Sequence, residues 1–161
     1  MSGIFTLVLA KQDFKFSCGH FTLFGPDQAE MMHGHNYQVA MELTGPELDE
    51  EGLLADFPST KGAIREICER LDSRTLIPGE SPHLTVVEDE DGVEISYRDR
   101  RYRFPADDVL ILPVVNTSIE ILAQMIWEEL VERVSMPGVG QLGISVSETE
   151  GQSCWYRASL P

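Results

Sequence analysis

HGHNYQVAMELTG, residues 33–45, alternates in character along its length. Successive side chains of a strand point to opposite faces, so His33, His35, Tyr37, Val39, Met41 and Leu43 share one face, while Asn36, Gln38 and Glu42 take the other. The apolar part of that face asks for a core. The two histidines that begin it stand at i and i+2, with Cα atoms about two rises of 3.3 Å apart, so their imidazoles can converge on one ion. Upstream, FTLVLAKQDFKFSCGH (residues 5–20) reads as a strand or a long bent strand, in which Phe14, Phe16, Cys18 and His20 share parity. His20 thereby offers a third imidazole at the end of its own apolar face. Zinc takes histidine nitrogens at about 2.0–2.1 Å, and three neutral ligands leave one position open, the usual arrangement of a catalytic site. The bland alternative is a set of ordinary polar residues at strand ends; His20 is what strengthens the metal reading of His33 and His35. His83, in a proline-containing loop, is read as a surface residue.

Working outward, DFPSTKGAIREICERLD (residues 56–72) spaces Ile64, Ile67, Cys68 and Leu71 as one helical face, with Pro58 near the start. HLTVVEDEDGVEISYRDRRYRFP (residues 83–105) predicts two or three strands turning at Asp91-Gly92, and its alternating charges predict a solvated hairpin. NTSIEILAQMIWEELVERV (residues 116–134) is a second helix with Leu122, Ile126 and Leu130 inward, and Thr117 and Glu120 have the spacing of a capping box. QLGISVSETE and SCWYRASL close the chain as a hairpin. Strands come in adjacent pairs, which predicts an α+β domain: an antiparallel four-stranded sheet with two helices on one face, and an insertion at about residues 79–115.

The chain has 161 residues, enough for one domain. Its 27 acidic against 12 basic residues argue against a nucleic-acid partner, because phosphates need Lys and Arg. Three widely spaced cysteines, Cys18, Cys68 and Cys154, suit a reduced cytoplasm. No segment is long enough to span a membrane; IFTLVLA near the start lacks a basic flank and reads as a strand rather than a signal core. Cys68 and Cys154 read as packing residues, and Cys18 as core that also lies within approach of the metal site.

FSCGH, HGHNY, GLLADF, ERLD, NTSIEILAQMIW and SETEGQSCWYR, in this order, resemble the 6-pyruvoyl-tetrahydropterin synthase and 6-carboxytetrahydropterin synthase family. The resemblance covers most of the chain outside about residues 79–115. It implies the tunnelling fold, zinc on His20, His33 and His35, and a homohexamer of two stacked trimers. It also implies a pterin substrate, 7,8-dihydroneopterin triphosphate, whose side-chain hydroxyls the zinc holds while a base moves protons on the carbon chain. Glu148 matches the family's pterin anchor. The residues support this independently: Leu142, Ile144, Val146 and Glu148 share parity, so an inward apolar stripe ends in a carboxylate. Such a group is costly to bury unpaired, and a pterin's amino group and ring N–H satisfy it with two parallel hydrogen bonds. Glu120 matches a family position near the pterin and is equally a capping residue.

Two positions depart from the pattern. The common branches carry a catalytic cysteine four residues before the first histidine of HGH; here that residue is Ala29. Its neighbour Glu30 resembles the branch in which glutamate takes over, associated with release of 6-hydroxymethyl-7,8-dihydropterin. Glu30 serves as a base if burial raises its pKa toward neutrality, and is otherwise a solvated loop acid. The family's Asp-His relay after the first helix keeps Asp72 but has Ser73 in place of histidine, and a hydroxyl is a poor proton shuttle at neutral pH. The sequence therefore leaves open a second, carboxytetrahydropterin-type activity and a catalytically silent relative.

Overall fold

A computed structural model describes residues 3–160. The chain begins with β1 (Phe5–Leu9) and β2 (Lys15–His20), which lie end to end along one edge of the long β3 (His33–Gly45). They are the two halves of the bent strand that the sequence predicts. The Gln38 amide spans the bend, donating to Lys11 O and Phe14 O at 2.7 and 2.8 Å. On its other edge β3 pairs with β9 (Gln141–Thr149), which forms the closing hairpin with β10 (Gln152–Ser159).

The expected four antiparallel strands are too few. β4 (Arg74–Pro78) pairs in parallel with β2, and β8 (Val109–Leu112) pairs in parallel with β4, giving a seven-stranded mixed sheet in the order β10-β9-β3-β2-β4-β8, with β1 beside β3. Both added strands are only four or five residues long, too short for alternation to declare itself. The α+β class and the helix placement stand. α1 (Phe57–Leu71) and α2 (Ile119–Arg133) pack on one face of the sheet over a core that includes Phe16, Tyr37, Met41, Ile64, Ile126 and Ile144. Asp56 caps α1, accepting from Ser59 N at 3.4 Å and Ser59 Oγ at 2.5 Å.

The segment expected to be a solvated hairpin is a separate three-stranded sheet, β5 (Thr85–Asp89), β6 (Gly92–Tyr97) and β7 (Arg100–Phe104). Its first turn is at Glu90-Asp91, one residue earlier than expected, and Gly92 pairs with Asp89. Gly92 has φ 136°, and a Cβ there would stand 2.2 Å from Phe104 O, so no other residue fits. One face is largely buried: Val93, Ile95 and Tyr97 pack against Phe21, Leu23, Ile77 and Val109 in a second core. Of the charged residues that suggested full exposure, Asp89, Glu94, Arg101 and Arg103 occupy the opposite face, while Glu88 opposite Val93 and Arg100 opposite Tyr97 share the buried one.

Candidate metal and pterin site

The pairing of β2 with β3 sets His20 directly opposite His33 and Cys18 opposite His35. Register and alternation together therefore put three imidazoles on one face. Their ring centroids are 4.7–5.3 Å apart, and one nitrogen from each falls within 4.8 Å of the others. The Nε2 atoms of His33 and His35 are 2.9 Å apart.

Two of the rings have their outer nitrogen assigned. His20 Nδ1 donates to Thr117 O at 3.1 Å, and His33 Nδ1 donates to Met31 O at 2.7 Å. A ring that donates from Nδ1 keeps the Nε2 lone pair for a cation. Burial first, then the neighbouring His33 and His35, pushes the His20 pKa down to about 4, so this ring is neutral at neutral pH. The donor set fits zinc: three imidazoles, no acid among them, and carbonyl acceptors behind two of the rings.

Three polar residues at the start of α2 serve this arrangement. Asn116 binds the Leu23 backbone in both directions, at 3.1 and 2.9 Å. Thr117 accepts from His20 and its hydroxyl donates to Phe21 O at 3.3 Å. Ser118, not Thr117, is the N-cap, accepting from Ile121 N at 3.5 Å. The predicted capping box does not form, because the Thr117 hydroxyl is committed to β2 and its exit. Glu120 is exposed in the first turn of α2, where a carboxylate suits the helix dipole.

Glu148 lies beside the histidines. Its Oε1 is 3.7 Å from His35 Nε2 and accepts from Tyr37 OH at 3.3 Å, while Oε2 accepts from Gln152 Nε2 at 2.7 Å. The apolar stripe leading to it, Leu142, Ile144 and Val146, is fully buried. Tyr37, whose hydroxyl lies 2.9 Å from His20 Nε2, had no role in the sequence reading beyond its parity; its place two residues after His35 was the available signal.

Glu30 is also at the site, with Oε2 3.8 Å from His33 Nε2. Partial burial raises its pKa, but the Thr22 N–H donated at 2.9 Å, with His33 and His20 near, outweighs this and holds the carboxyl below its ordinary value. The expected rise toward neutrality does not occur. Asp72 is elsewhere. It accepts from Ser17 N at 2.6 Å and Ser73 Oγ at 2.9 Å and makes no hydrogen bond to the histidines. It lines a groove of about 460 Å³ with Asp13, Asn36 and Arg65, which Tyr37 also borders from the histidine side. Cys18 is buried and its thiol pushed up to about 12, by burial first and then by Asp72 and Glu148. His83 is half-buried in its loop, apart from the set.

A sequence model of 6-pyruvoyl tetrahydropterin synthase matches residues 9–159. The chain belongs to the 6-pyruvoyl tetrahydropterin synthase family. Among curated relatives, a Methanocaldococcus jannaschii protein provisionally named 6-carboxy-5,6,7,8-tetrahydropterin synthase is 29% identical over 91% of each chain. A Pyrococcus horikoshii protein with the same provisional name is 33% identical over 73% of this chain and 70% of its own. Among solved structures, a Plasmodium vivax 6-pyruvoyltetrahydropterin synthase with a catalytic glutamate replaced by alanine superposes with a TM-score of 0.91. It is 29% identical over 98% of this chain and 99% of its own. Members of this family are lyases, and the fold described above is theirs.

Proposed function

We propose that this chain is a zinc-dependent lyase acting on 7,8-dihydroneopterin triphosphate or a close dihydropterin, and that it forms 6-hydroxymethyl-7,8-dihydropterin. The observation that carries this reading is the Glu30 carboxylate 3.8 Å from His33 Nε2, beside three converging imidazoles, in a chain with Ala29 at the usual cysteine position. The Plasmodium vivax protein, in which a glutamate is catalytic, supports it.

His20, His33 and His35 would hold the zinc, which when bound supplies Lewis-acid chemistry toward oxygen. Glu148 would bind the pterin amino group and ring N–H through its two oxygens, in place of Gln152 and Tyr37. Glu30 would take a proton from the carbon chain. The depressed pKa leaves it ionised but a weaker base, so the support for this role is position: Thr22 N–H fixes the orientation of the carboxylate beside His33. Asp72, which accepts from Ser17 and Ser73, would orient a water or a hydroxyl, with no imidazole at position 73 to shuttle the proton.

The test is incubation of the zinc-loaded protein with 7,8-dihydroneopterin triphosphate and identification of the product by mass spectrometry. The expected product is 6-hydroxymethyl-7,8-dihydropterin, with Glu30→Gln slower by roughly 10²-fold or more, the worth of a positioned base. Full turnover by Glu30→Gln removes the base role. The names of the archaeal relatives favour a second reading, a 6-carboxytetrahydropterin synthase, and that product would establish it. Pterin binding with no turnover would make the chain a silent relative.

We propose also that the chain assembles as a homohexamer of two stacked trimers. β8 and β10 end the seven-stranded sheet with edges open to pairing, and Ile4, Phe5 and Val8 expose apolar surface on β1, which pairs only with β3, and just before it. Sedimentation should give six times the chain mass; a monomer at micromolar concentration would exclude this assembly. Three free cysteines support a reducing compartment such as the cytoplasm. Among the described residues, no helix is long and apolar enough to cross a membrane.

A further inference from the structure

The loop that carries Glu30, residues 21–32, connects β2 to β3 and is held from two sides. Asn116 and Thr117 hold its start, at Leu23 and Phe21. The inserted sheet holds the rest by reaching for backbone carbonyls. Tyr97 OH donates to Gly25 O at 2.9 Å, and Arg98 Nη1 to Asp27 O at 3.1 Å. Arg100 takes two successive carbonyls, Glu30 O at 2.6 Å through Nη1 and Ala29 O at 3.4 Å through Nη2.

The Arg100 contact differs in kind from the other two. Arg98 is exposed, whereas Arg100 is half-buried with its guanidinium 5.8 Å above the Tyr97 ring centre. A planar fork across consecutive carbonyls fixes the direction of the chain as well as its position. The remaining polar groups of Glu30 are held by one residue: its N–H donates to Thr22 O at 2.9 Å and its carboxylate accepts from Thr22 N. Arg100 thus closes the set on the one backbone group of Glu30 that Thr22 does not reach.

We infer that Arg100 is a positioning residue for Glu30, holding the Ala29 and Glu30 carbonyls so that the carboxylate stays beside the three histidines. The inserted sheet is then part of the reaction's apparatus: its buried face keeps β6 and β7 rigid, and its first β7 residue aims the loop. This inference rests on the Glu30 reading above.

The experiment uses the full zinc-loaded chain as Arg100→Ala and Arg100→Lys, each with and without Glu30→Gln. Turnover of 7,8-dihydroneopterin triphosphate and amide hydrogen exchange across residues 21–32 are measured. Arg100→Ala should lower kcat by roughly 10²-fold, the loss that a displacement of about 1 Å brings, while KM changes little. It should speed exchange at the Glu30 amide. Arg100→Lys should recover part of kcat, because an ammonium cannot span both carbonyls in one plane. In the Glu30→Gln background Arg100→Ala should cost nothing further, since residues acting as a unit are not additive.

Wild-type kcat and exchange in Arg100→Ala, alongside a crippled Glu30→Gln, would overturn the inference and leave the Glu30 reading intact. Equal losses in both backgrounds would also overturn it, being the mark of general destabilisation. Full turnover by Glu30→Gln would remove both. Where Arg100→Ala does not fold, Arg100→Lys carries the same comparison.

Discussion

A histidine serves as a metal ligand only when the right nitrogen is free of its proton. His20 meets this condition through Thr117, a residue 97 positions away in the chain that accepts from Nδ1. Burial keeps the same ring neutral, as its pKa of about 4 records. His20→Ala should therefore abolish stoichiometric zinc in the purified protein, measured by elemental analysis after dialysis against free zinc. Circular dichroism should show the fold retained, because the remaining core does not depend on that ring. Retention of one zinc per chain in this variant would mean that the ion sits elsewhere. Residue by residue, parity pointed to the three histidines, and Glu148 was picked out mainly by the family resemblance with parity in support. Tyr37, Thr22 and Thr117 were not, because a hydroxyl or a backbone N–H acquires its role only from what the fold sets against it.

Elements were legible where their period was long. β3 and both helices announce themselves over 13 to 15 residues, and their inward residues are the ones expected. β4 and β8 do not, and the inserted strands were read for their charge rather than their buried face. Charge on that sheet has a local use, since Asp89 accepts from Arg103 at 2.6 Å. The Arg103 guanidinium and the Asp91 and Gly92 N–H groups hold the Asp89 carboxyl below its ordinary value, outweighing slight desolvation. A carboxyl depressed in the fold contributes stability above its unfolded pKa of about 3.9 and loses it as pH falls through the folded value. An NMR titration should place the Asp89 midpoint below that of a free aspartate, and Arg103→Gln should move it upward. An unchanged midpoint would show that the pair does not persist in solution.

Across the whole molecule, two cores divide the work. One holds the helices on the seven-stranded sheet, and the other holds the inserted sheet against the Glu30 loop. Ile144 is fully buried in the first, on the stripe that leads to Glu148. Ile144→Ala should cost about 2–5 kcal/mol in chemical denaturation, through lost transfer energy and the cavity left behind. A loss under about 0.5 kcal/mol would place that side chain on the surface, contrary to the fold.

Local pattern by itself determined the α+β class, the two helices, the bent first strand, the common parity of His33 and His35, and the parity of His20 with the apolar residues of its own strand. Each of these follows from a repeat of two or 3.6 residues, which the chain carries whatever surrounds it. The β2–β3 register then joined the three rings. The tertiary structure alone decided the seven-stranded mixed sheet, the N-terminal cap at Ser118 and the packing of the inserted sheet on the Glu30 loop. These depend on contacts between residues 34 to 97 positions apart, for which a single sequence has no period to read.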